Sequence, residues 1–149
     1  MALLTGATGT DQYVPPVNSS IPSALIPLLD STAVAFVSTI GPKGEPQTTP
    51  IWFLRHDDAV QFSRVDGRQK LRNLRRDPRA SVVIADPADP TRYLELRGTV
   101  TLTEDPDCAL ERTVAIKYRG EHQDVEPPGT VRFAATLAVE HVSSQAGGH

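Results

Sequence analysis

Hydrophobic and polar residues alternate most regularly over residues 93–103, YLELRGTVTLT. One side of an extended chain would then carry only apolar or small residues, namely Leu94, Leu96, Gly98, Val100 and Leu102. A period of two predicts a strand with one buried face. Apolar or alternating runs predict five further strands, over residues 33–40, 47–54, 60–64, 80–85 and 131–141.

Short polar segments between these runs predict tight turns and short helices. The sequence Gly-Pro-Lys-Gly at residues 41–44 is a turn that joins the first two strands in a hairpin. Residues 20–30 predict a short helix with Pro22 near its first turn. Its leucines are expected to face inward, at positions 25, 28 and 29.

A later helix is predicted to begin at Asp105-Pro106, where Asp is the N-cap and Pro the first helical residue. It places Leu110, Val114 and Tyr118 on one stripe and ends at Gly120. Six strands with two or three short helices indicate a mainly β fold, a six-stranded antiparallel barrel with helices at its ends. We predict one domain over residues 21–142, a flexible N-terminal arm over residues 1–20 and a frayed tail over residues 143–149.

Positive charge is concentrated in residues 63–80, SRVDGRQKLRNLRRDPRA, which contain seven of the chain's fifteen Lys and Arg residues. Asp66 and Gln69 have the spacing of a capping box, and Pro78 ends the helix that they predict. Arg68 and Lys70 then lie in the first turn, where the helix dipole disfavours cations. A bound phosphate or carboxylate would offset that cost. The alternative is a solvated basic helix.

Composition and charge exclude several classes of protein. The 149 residues suit a single domain, with 39% hydrophobic and 22% charged residues. The sequence contains no apolar run of membrane-spanning length. A single cysteine, Cys108, excludes an internal disulfide framework and favours a cytoplasmic location. The net charge of −3 argues against nucleic acid as the main partner.

Motifs for side-chain catalysis are absent from the sequence. There is no nucleophile elbow, paired-cysteine motif, zinc-protease motif, phosphate-binding loop or dinucleotide fingerprint. His56, His122 and His141 lack the spacing of metal ligands, and we predict no metal site. Cys108 is interpreted as a small buried residue in the first turn of its helix. If the protein is an enzyme, a cofactor is therefore expected to supply the chemistry.

The segment of Thr48, Thr49, Pro50, Ile51 and Trp52 is suited to a planar ring. Pro50 donates no backbone hydrogen bond, so the strand is interrupted there or lies at a sheet edge. Free backbone groups at such a place can contact a flat heterocycle. Trp52 either lies against that ring or packs in the core.

Three segments together resemble a known family, and they are residues 33–53, 63–84 and 93–105. They are similar to the flavin-binding split β-barrel proteins related to pyridoxamine 5′-phosphate oxidase. Within that group, the chain resembles the actinobacterial deazaflavin-dependent reductases that use coenzyme F420. The resemblance covers residues 25–141, and its most specific part is K-x-x-N-L-R-x-x-P-R-x-S at residues 70–81. KYRGEH at residues 117–122 resembles a weaker family feature.

The resemblance implies an FMN-binding split barrel and a homodimer with cofactor sites at the subunit interface. Thr49, Pro50, Ile51 and Trp52 would lie along the ring, with Thr48 beside them. Arg68 and Lys70 would hold the cofactor phosphate, and Ser63 and Arg64 would line the same pocket. Thr91 and Arg92 would approach from the second subunit. Some relatives have an aromatic residue at the position of Thr91, so the resemblance does not determine the shape of the substrate pocket.

The implied activity is hydride transfer from reduced F420 to an unsaturated or conjugated small molecule. The arginines beyond those that one phosphate needs would suit the phosphodiester and oligoglutamate tail of F420. One alternative is an FMN-dependent oxidase or reductase of the same fold. A second is a deazaflavin carrier without turnover, and a third, disfavoured by the acidic remainder of the chain, is an RNA-binding module. The proton donor and the physiological substrate are not identified.

Overall fold

A computed structural model describes residues 21–122 and 126–147. The arm predicted for residues 1–20 lies outside the described residues. The strands are β1 (Ala35–Ile40), β2 (Pro46–Ile51), β3 (Leu54–His56), β4 (Ala59–Val65), β5 (Arg79–Ala85), β6 (Arg92–Glu104) and β7 (Arg132–Ala146). The helices are a 3₁₀ turn at Ser23–Leu25 that continues into α1 (Ile26–Asp30), then α2 (Gln69–Arg76) and α3 (Ala109–Arg119). None of these helices is long and apolar enough to cross a membrane.

The strands form one antiparallel sheet in the order β2-β1-β5-β6-β7-β4-β3. Its two edge strands, β2 and β3, are consecutive in the chain and are separated by Trp52 and Phe53 alone. Three residue steps span at most roughly 11 Å, so the edges must lie close together. The sheet is therefore curled into a barrel that is split between β2 and β3. The predicted antiparallel barrel architecture is confirmed.

The predicted number of strands was wrong, because the described residues contain seven strands and not six. Residues 47–54 were predicted as one strand, but the structure divides them at Trp52 and Phe53 into β2 and β3. Ile51 and Phe53 are buried and Trp52 is exposed, so the alternation continues across the break. The pairing partner nevertheless changes, from β1 before the break to β4 after it. Hydrophobic periodicity reports which side is buried and carries no information about the partner strand.

The interior of the barrel is filled by alternate side chains of its strands. Those with no exposed surface include Val37, Val60, Phe62, Val82, Ile84, Leu94, Leu96 and Leu137. Each contributes about 1.5–3 kcal/mol by leaving water. The predicted inward leucines at positions 25, 28 and 29 are buried, and so are Leu71 and Leu74 of α2. The predicted burial of the leucines at positions 25, 28 and 29 is confirmed.

The predicted start of α2 was wrong. Its N-cap is Arg68, and no side chain caps it. Asp66 Oδ1 instead accepts a hydrogen bond from the Gly67 N–H (2.9 Å) and pairs with Arg75 (2.9 Å). The Asp66 carboxylate thus binds Arg75, about two turns along the helix, and does not cap the helix. The local sequence spacing does not reveal this partner.

The predicted start of α3 and the predicted C-terminal tail also need correction. The helix begins at Ala109, and Cys108 is its N-cap in a left-handed conformation with φ 54°. Asp105 still caps it, since its carboxylate accepts from the N–H groups of Ala109 (3.1 Å) and Leu110 (3.0 Å). Strand β7 continues to Ala146, so residues 143–146 belong to the sheet and not to a frayed tail.

Candidate cofactor site

A cavity of about 350 Å³ opens beside the split in the barrel. Pro50, Ile51 and Trp52 form one wall, where β2 ends. Ser63 and Arg64 of β4 form another, and the remaining lining residues are Val34, Glu111, Val114 and Arg132. Strand β2 is a sheet edge, as the proline at position 50 indicated. The largely apolar wall beside the split can hold a flat ring.

A second cavity, of about 240 Å³, adjoins the first. Arg64 lines both cavities, so the two are neighbours and together form the candidate site. The other residues around the second cavity are Gln47, Thr49, Arg68, Gln69 and Lys70. Eight of the eleven residues proposed from the sequence therefore line this pair of cavities.

Thr48, Thr91 and Arg92 do not line these cavities. The Thr48 side chain is exposed, and its hydroxyl is 2.7 Å from Ser38 Oγ. Thr91 donates its hydroxyl to Asp89 (2.6 Å). Arg92 binds Asp86 (3.1 Å) and the Ala24 carbonyl (2.9 Å), beside a separate cavity next to α1. That Thr91 and Arg92 approach a site on a second subunit stays a prediction.

Lys70 is an uncompensated buried cation. It lies in the first turn of α2 with 6% of its surface exposed. It forms no ion pair or side-chain hydrogen bond with any residue in the described ranges, although it faces the second cavity. Burial, and secondarily the charge of Arg64, lowers the pKa of its ammonium group to about 8. An anion in the cavity would relieve both effects.

Arg64 and Arg68 add two more positive groups to the same space. Neither forms an ion pair with a carboxylate among the residues that the structure describes. Burial lowers the pKa of Arg64, and the nearby guanidinium groups of Arg68 and Arg132 lower it further. Three cations therefore converge on the second cavity, and no carboxylate is among the described residues that line it, which is the arrangement of an anion site.

A hydroxyl without a partner points to the same cavity. Thr49 Oγ1 is buried and forms no hydrogen bond. Leaving such a group unsatisfied costs roughly 1–3 kcal/mol. Gln69 and Lys70, the first two residues of α2, also line the cavity, and their backbone N–H groups have no intrahelical acceptors. The residues present therefore fit a phosphate group, which would accept hydrogen bonds from each of these donors.

The remaining cations of the basic segment are held by partners within the chain. Arg72 donates to the Gly67 carbonyl and to Gln69 Oε1. Arg75 pairs with Asp66 and lies over the ring of Phe133. Arg76 donates to the Ile40 carbonyl (2.8 Å) and Asn73 Oδ1 (3.1 Å), and Arg79 pairs with Asp77 (2.8 Å). Of the seven cations in residues 63–80, the three that line the cavity are therefore Arg64, Arg68 and Lys70.

Trp52 belongs neither to the core nor to open solvent. It is 40% exposed and stacks on Tyr118, with ring centroids 4.9 Å apart and planes inclined by 4°. The Tyr118 hydroxyl donates to the Ala33 carbonyl (2.8 Å) and accepts from the Phe53 N–H (3.4 Å). Burial raises the pKa of Tyr118 to about 12, so this hydroxyl keeps its proton. The stack fixes the plane of Trp52 at the mouth of the first cavity.

Sequence reasoning missed a charged pair in the first cavity. Arg132 donates to Ser63 Oγ (3.1 Å) and to Glu126 Oε1 (2.9 Å), and it lies 3.7 Å from Glu111. Glu111 and Arg132 come from α3 and β7, far from the basic segment in sequence. No local pattern marks either residue, because only the barrel topology brings them to the cavity.

Among the described residues, no group of three or more His, Cys, Asp or Glu side chains could hold a metal ion. The three histidines considered in the sequence analysis lie in separate parts of the fold: His56 ends β3, His122 follows α3 and His141 lies in β7.

Solved structures of other proteins share this fold. A solved structure described as an F420 reductase is 30% identical, with 84% of this chain and all of that chain covered and a TM-score of 0.76. A conserved hypothetical protein from Mycobacterium tuberculosis is 24% identical over 88% of each chain, with a TM-score of 0.71. General stress protein 26 from Bacillus anthracis is 15% identical over 84% of this chain and 93% of that chain, with a TM-score of 0.62.

The family comparison covers nearly the whole described chain. The family described as pyridoxamine 5′-phosphate oxidase matches residues 21–145. That span contains every strand and helix of the barrel, except the last residue of β7, and both cavities. The chain therefore belongs to the pyridoxamine 5′-phosphate oxidase family, with its split β-barrel fold.

Proposed function

We propose that the protein is an oxidoreductase that uses coenzyme F420 to reduce an unsaturated or conjugated small molecule. The observation that carries this proposal is a cavity with an apolar wall of Pro50, Ile51 and Trp52, beside a pocket that contains an unpaired buried lysine. A ring fits the first part, and a phosphodiester fits the second. The 30% identity to an F420 reductase over 84% of the chain favours the deazaflavin over other ring cofactors.

In this proposal, the protein binds and orients the cofactor. Pro50, Ile51 and Trp52 lie along the ring, and the Trp52–Tyr118 stack keeps that wall rigid. Lys70, Arg68 and the Thr49 hydroxyl hold the phosphodiester. When bound in its reduced form, the deazaflavin supplies a hydride to an electrophilic carbon, and the substrate takes its proton from solvent or a nearby side chain. The chain's contribution is alignment and the exclusion of water from one side of the ring.

A homodimer is part of the same proposal. Exposed apolar side chains surround the mouth of the first cavity, with Val34 38% and Phe36 47% exposed. Phe36 lies opposite Pro50 on the neighbouring strand. A second copy covering this face would bury these groups and bring its Thr91 and Arg92 towards the ring. Solitary exposed apolar residues are ordinary, but a group of them beside a cavity favours an interface.

FMN is the second candidate cofactor. Three cations face the phosphate pocket, and a phosphate monoester needs only two or three. The basic segment alone therefore no longer favours the longer anionic cofactor, and an FMN-dependent oxidase or reductase would use the same cavities.

The test is a titration of the purified protein with F420 and separately with FMN, followed by Trp52 fluorescence and by calorimetry. We expect tight binding of F420, weaker binding of FMN, and at least a tenfold loss in Lys70→Ala. Lys43→Ala is the matched control, since Lys43 is an exposed cation in the turn between β1 and β2. A preference for FMN would contradict the choice of cofactor, and binding of neither by calorimetry would refute the proposal.

Turnover is tested separately by mixing reduced F420 with a panel of conjugated carbonyl compounds and quinones. Protein-dependent oxidation that also requires an acceptor is the expected result. Tight binding without oxidation by any acceptor would indicate a carrier.

A further inference from the structure

Four of the seven cations in residues 63–80 form ion pairs or hydrogen bonds within the protein. Arg75 and Arg79 are neutralised by Asp66 and Asp77. Arg72 and Arg76 donate to backbone carbonyls and side-chain amides of their own neighbourhood. All four arginines are exposed, so an oligoglutamate chain would compete with these contacts for a solvent-screened attraction. Screened attraction between exposed charges is weak at physiological salt.

The space beyond the phosphate pocket is also unsuited to an acidic chain. A third cavity, of about 300 Å³, shares Gln47 and Gln69 with that pocket and continues away from the ring. Its one ionisable lining residue is Glu45, whose Oε1 accepts a hydrogen bond from the Lys43 N–H (2.7 Å). The other lining residues are Gly41, Pro42, Pro46 and Asn73. A glutamate tail that entered here would meet a carboxylate, and no cation is among the lining residues that the structure describes.

We propose that this protein recognises the ring and the phosphodiester of F420 and does not discriminate the length of its glutamate tail. The inference rests on the proposed function, and it assigns affinity to Lys70, Arg68 and Thr49 alone within the basic side of the site. Recognition ends where the unpaired cations end, at the boundary between the second and third cavities.

The experiment compares three deazaflavins by calorimetry on the full chain. They are F420 with a long oligoglutamate tail, the form without glutamate, and the deazaflavin alcohol that lacks the phosphodiester. We expect the first two to bind within about twofold of each other, and the third to bind at least tenfold more weakly. Arg72→Gln removes an exposed cation beside the pocket and is expected to leave all three affinities within about twofold. Lys70→Ala is expected to abolish the advantage of the phosphodiester.

The outcomes separate this inference from the proposed function. Affinity that rises tenfold or more with tail length, and that falls to the tailless value in Arg72→Gln, overturns the inference while leaving the F420 assignment intact. Equal binding of the deazaflavin alcohol and the tailless form overturns the assigned role of Lys70. Failure of every deazaflavin to bind refutes the proposed function and the inference with it.

Discussion

We expect Lys70 to make phosphate binding at the proposed site dependent on pH above about 8. In the empty protein, its pKa is lowered from 10.5 to about 8 because the ammonium group is buried and lies near Arg64. A bound phosphate group favours the charged lysine and so raises its pKa. Between these two values, the protein must take up a proton in order to bind the anion. The dissociation constant should therefore increase about tenfold per pH unit above pH 8, until the pKa of the complex is reached.

The magnitude follows from the fraction of Lys70 that is deprotonated. At pH 7, the lysine is mostly charged and little proton uptake accompanies binding. At pH 9, about nine tenths of the empty protein lacks the proton, so binding should take up close to one proton. Stability has the opposite dependence, because the unfolded chain keeps its lysine proton to about pH 10.5. The contribution of Lys70 to the free energy of unfolding therefore rises with pH between about 8 and 10.5.

Calorimetry between pH 7 and pH 10, in pairs of buffers that differ in ionisation enthalpy, measures both the affinity and the proton uptake. F420 and FMN are equally suitable ligands, since both present a phosphate group. Lys70→Arg is the matched control, because a guanidinium stays charged throughout this range and should give a flat profile. A wild-type affinity that is constant from pH 7 to pH 10, with no proton uptake at pH 9, would refute the assignment of Lys70 to the anion.

Three further substitutions test the fold around the site. Gly98→Ala should lower the free energy of unfolding by roughly 1–3 kcal/mol or more, because its Cβ would collide with the Ala138 carbonyl at the bulge between β6 and β7. Denaturant unfolding measures this change, with a substitution at an exposed position of the same strand, Thr101→Ala, as the control. An unchanged midpoint of unfolding in Gly98→Ala would contradict the prediction. Asp105→Ala should cost about 1 kcal/mol by removing the cap of α3, whereas Asp105→Asn should retain most of it in the same denaturant assay. Tyr118→Phe should cost roughly 1 kcal/mol by removing the hydroxyl bonds to Ala33 and Phe53 while keeping the stack on Trp52, and equal stability of this variant and the wild-type protein in thermal melts would count against this role.

Most of the strands could be predicted from the sequence because each carries its burial pattern locally. The alternation at Leu94, Leu96 and Val100 needs no knowledge of the rest of the fold. The starts of α2 and α3 could not be predicted in the same way. Asp66 was expected to cap α2 but pairs with Arg75, and Asp105 caps α3 across three intervening residues. In both cases, the sequence supplies the right functional group and the tertiary structure decides what it binds.

The same distinction applies to the site. Counting charges predicted an anion pocket near Arg68 and Lys70, and both residues line the second cavity. The count could not separate the three cations that face the cavity from the four that have partners elsewhere in the segment. The charge count could not identify Glu111 and Arg132, since they line the first cavity only because α3 and β7 pack beside it. Charge patterning therefore indicates a candidate pocket, whereas the ion pairs and hydrogen bonds of the folded protein show which cations face it.

The split in the barrel and the proposed ring site have a common origin. Where β2 gives way to β3, Phe53 lies outside both strands, and its backbone N–H and carbonyl must be satisfied in another way. Tyr118 accepts from the N–H, and Lys117 Nζ donates to the carbonyl (2.9 Å) and to that of Leu29 (3.1 Å). Helix α3 thus takes the place of a neighbouring strand at this point. The sheet edge therefore stays open at Phe53 without leaving its backbone groups unsatisfied. Pro50 and Trp52 are exposed beside this opening, at the wall of the barrel where we propose that the planar ring lies.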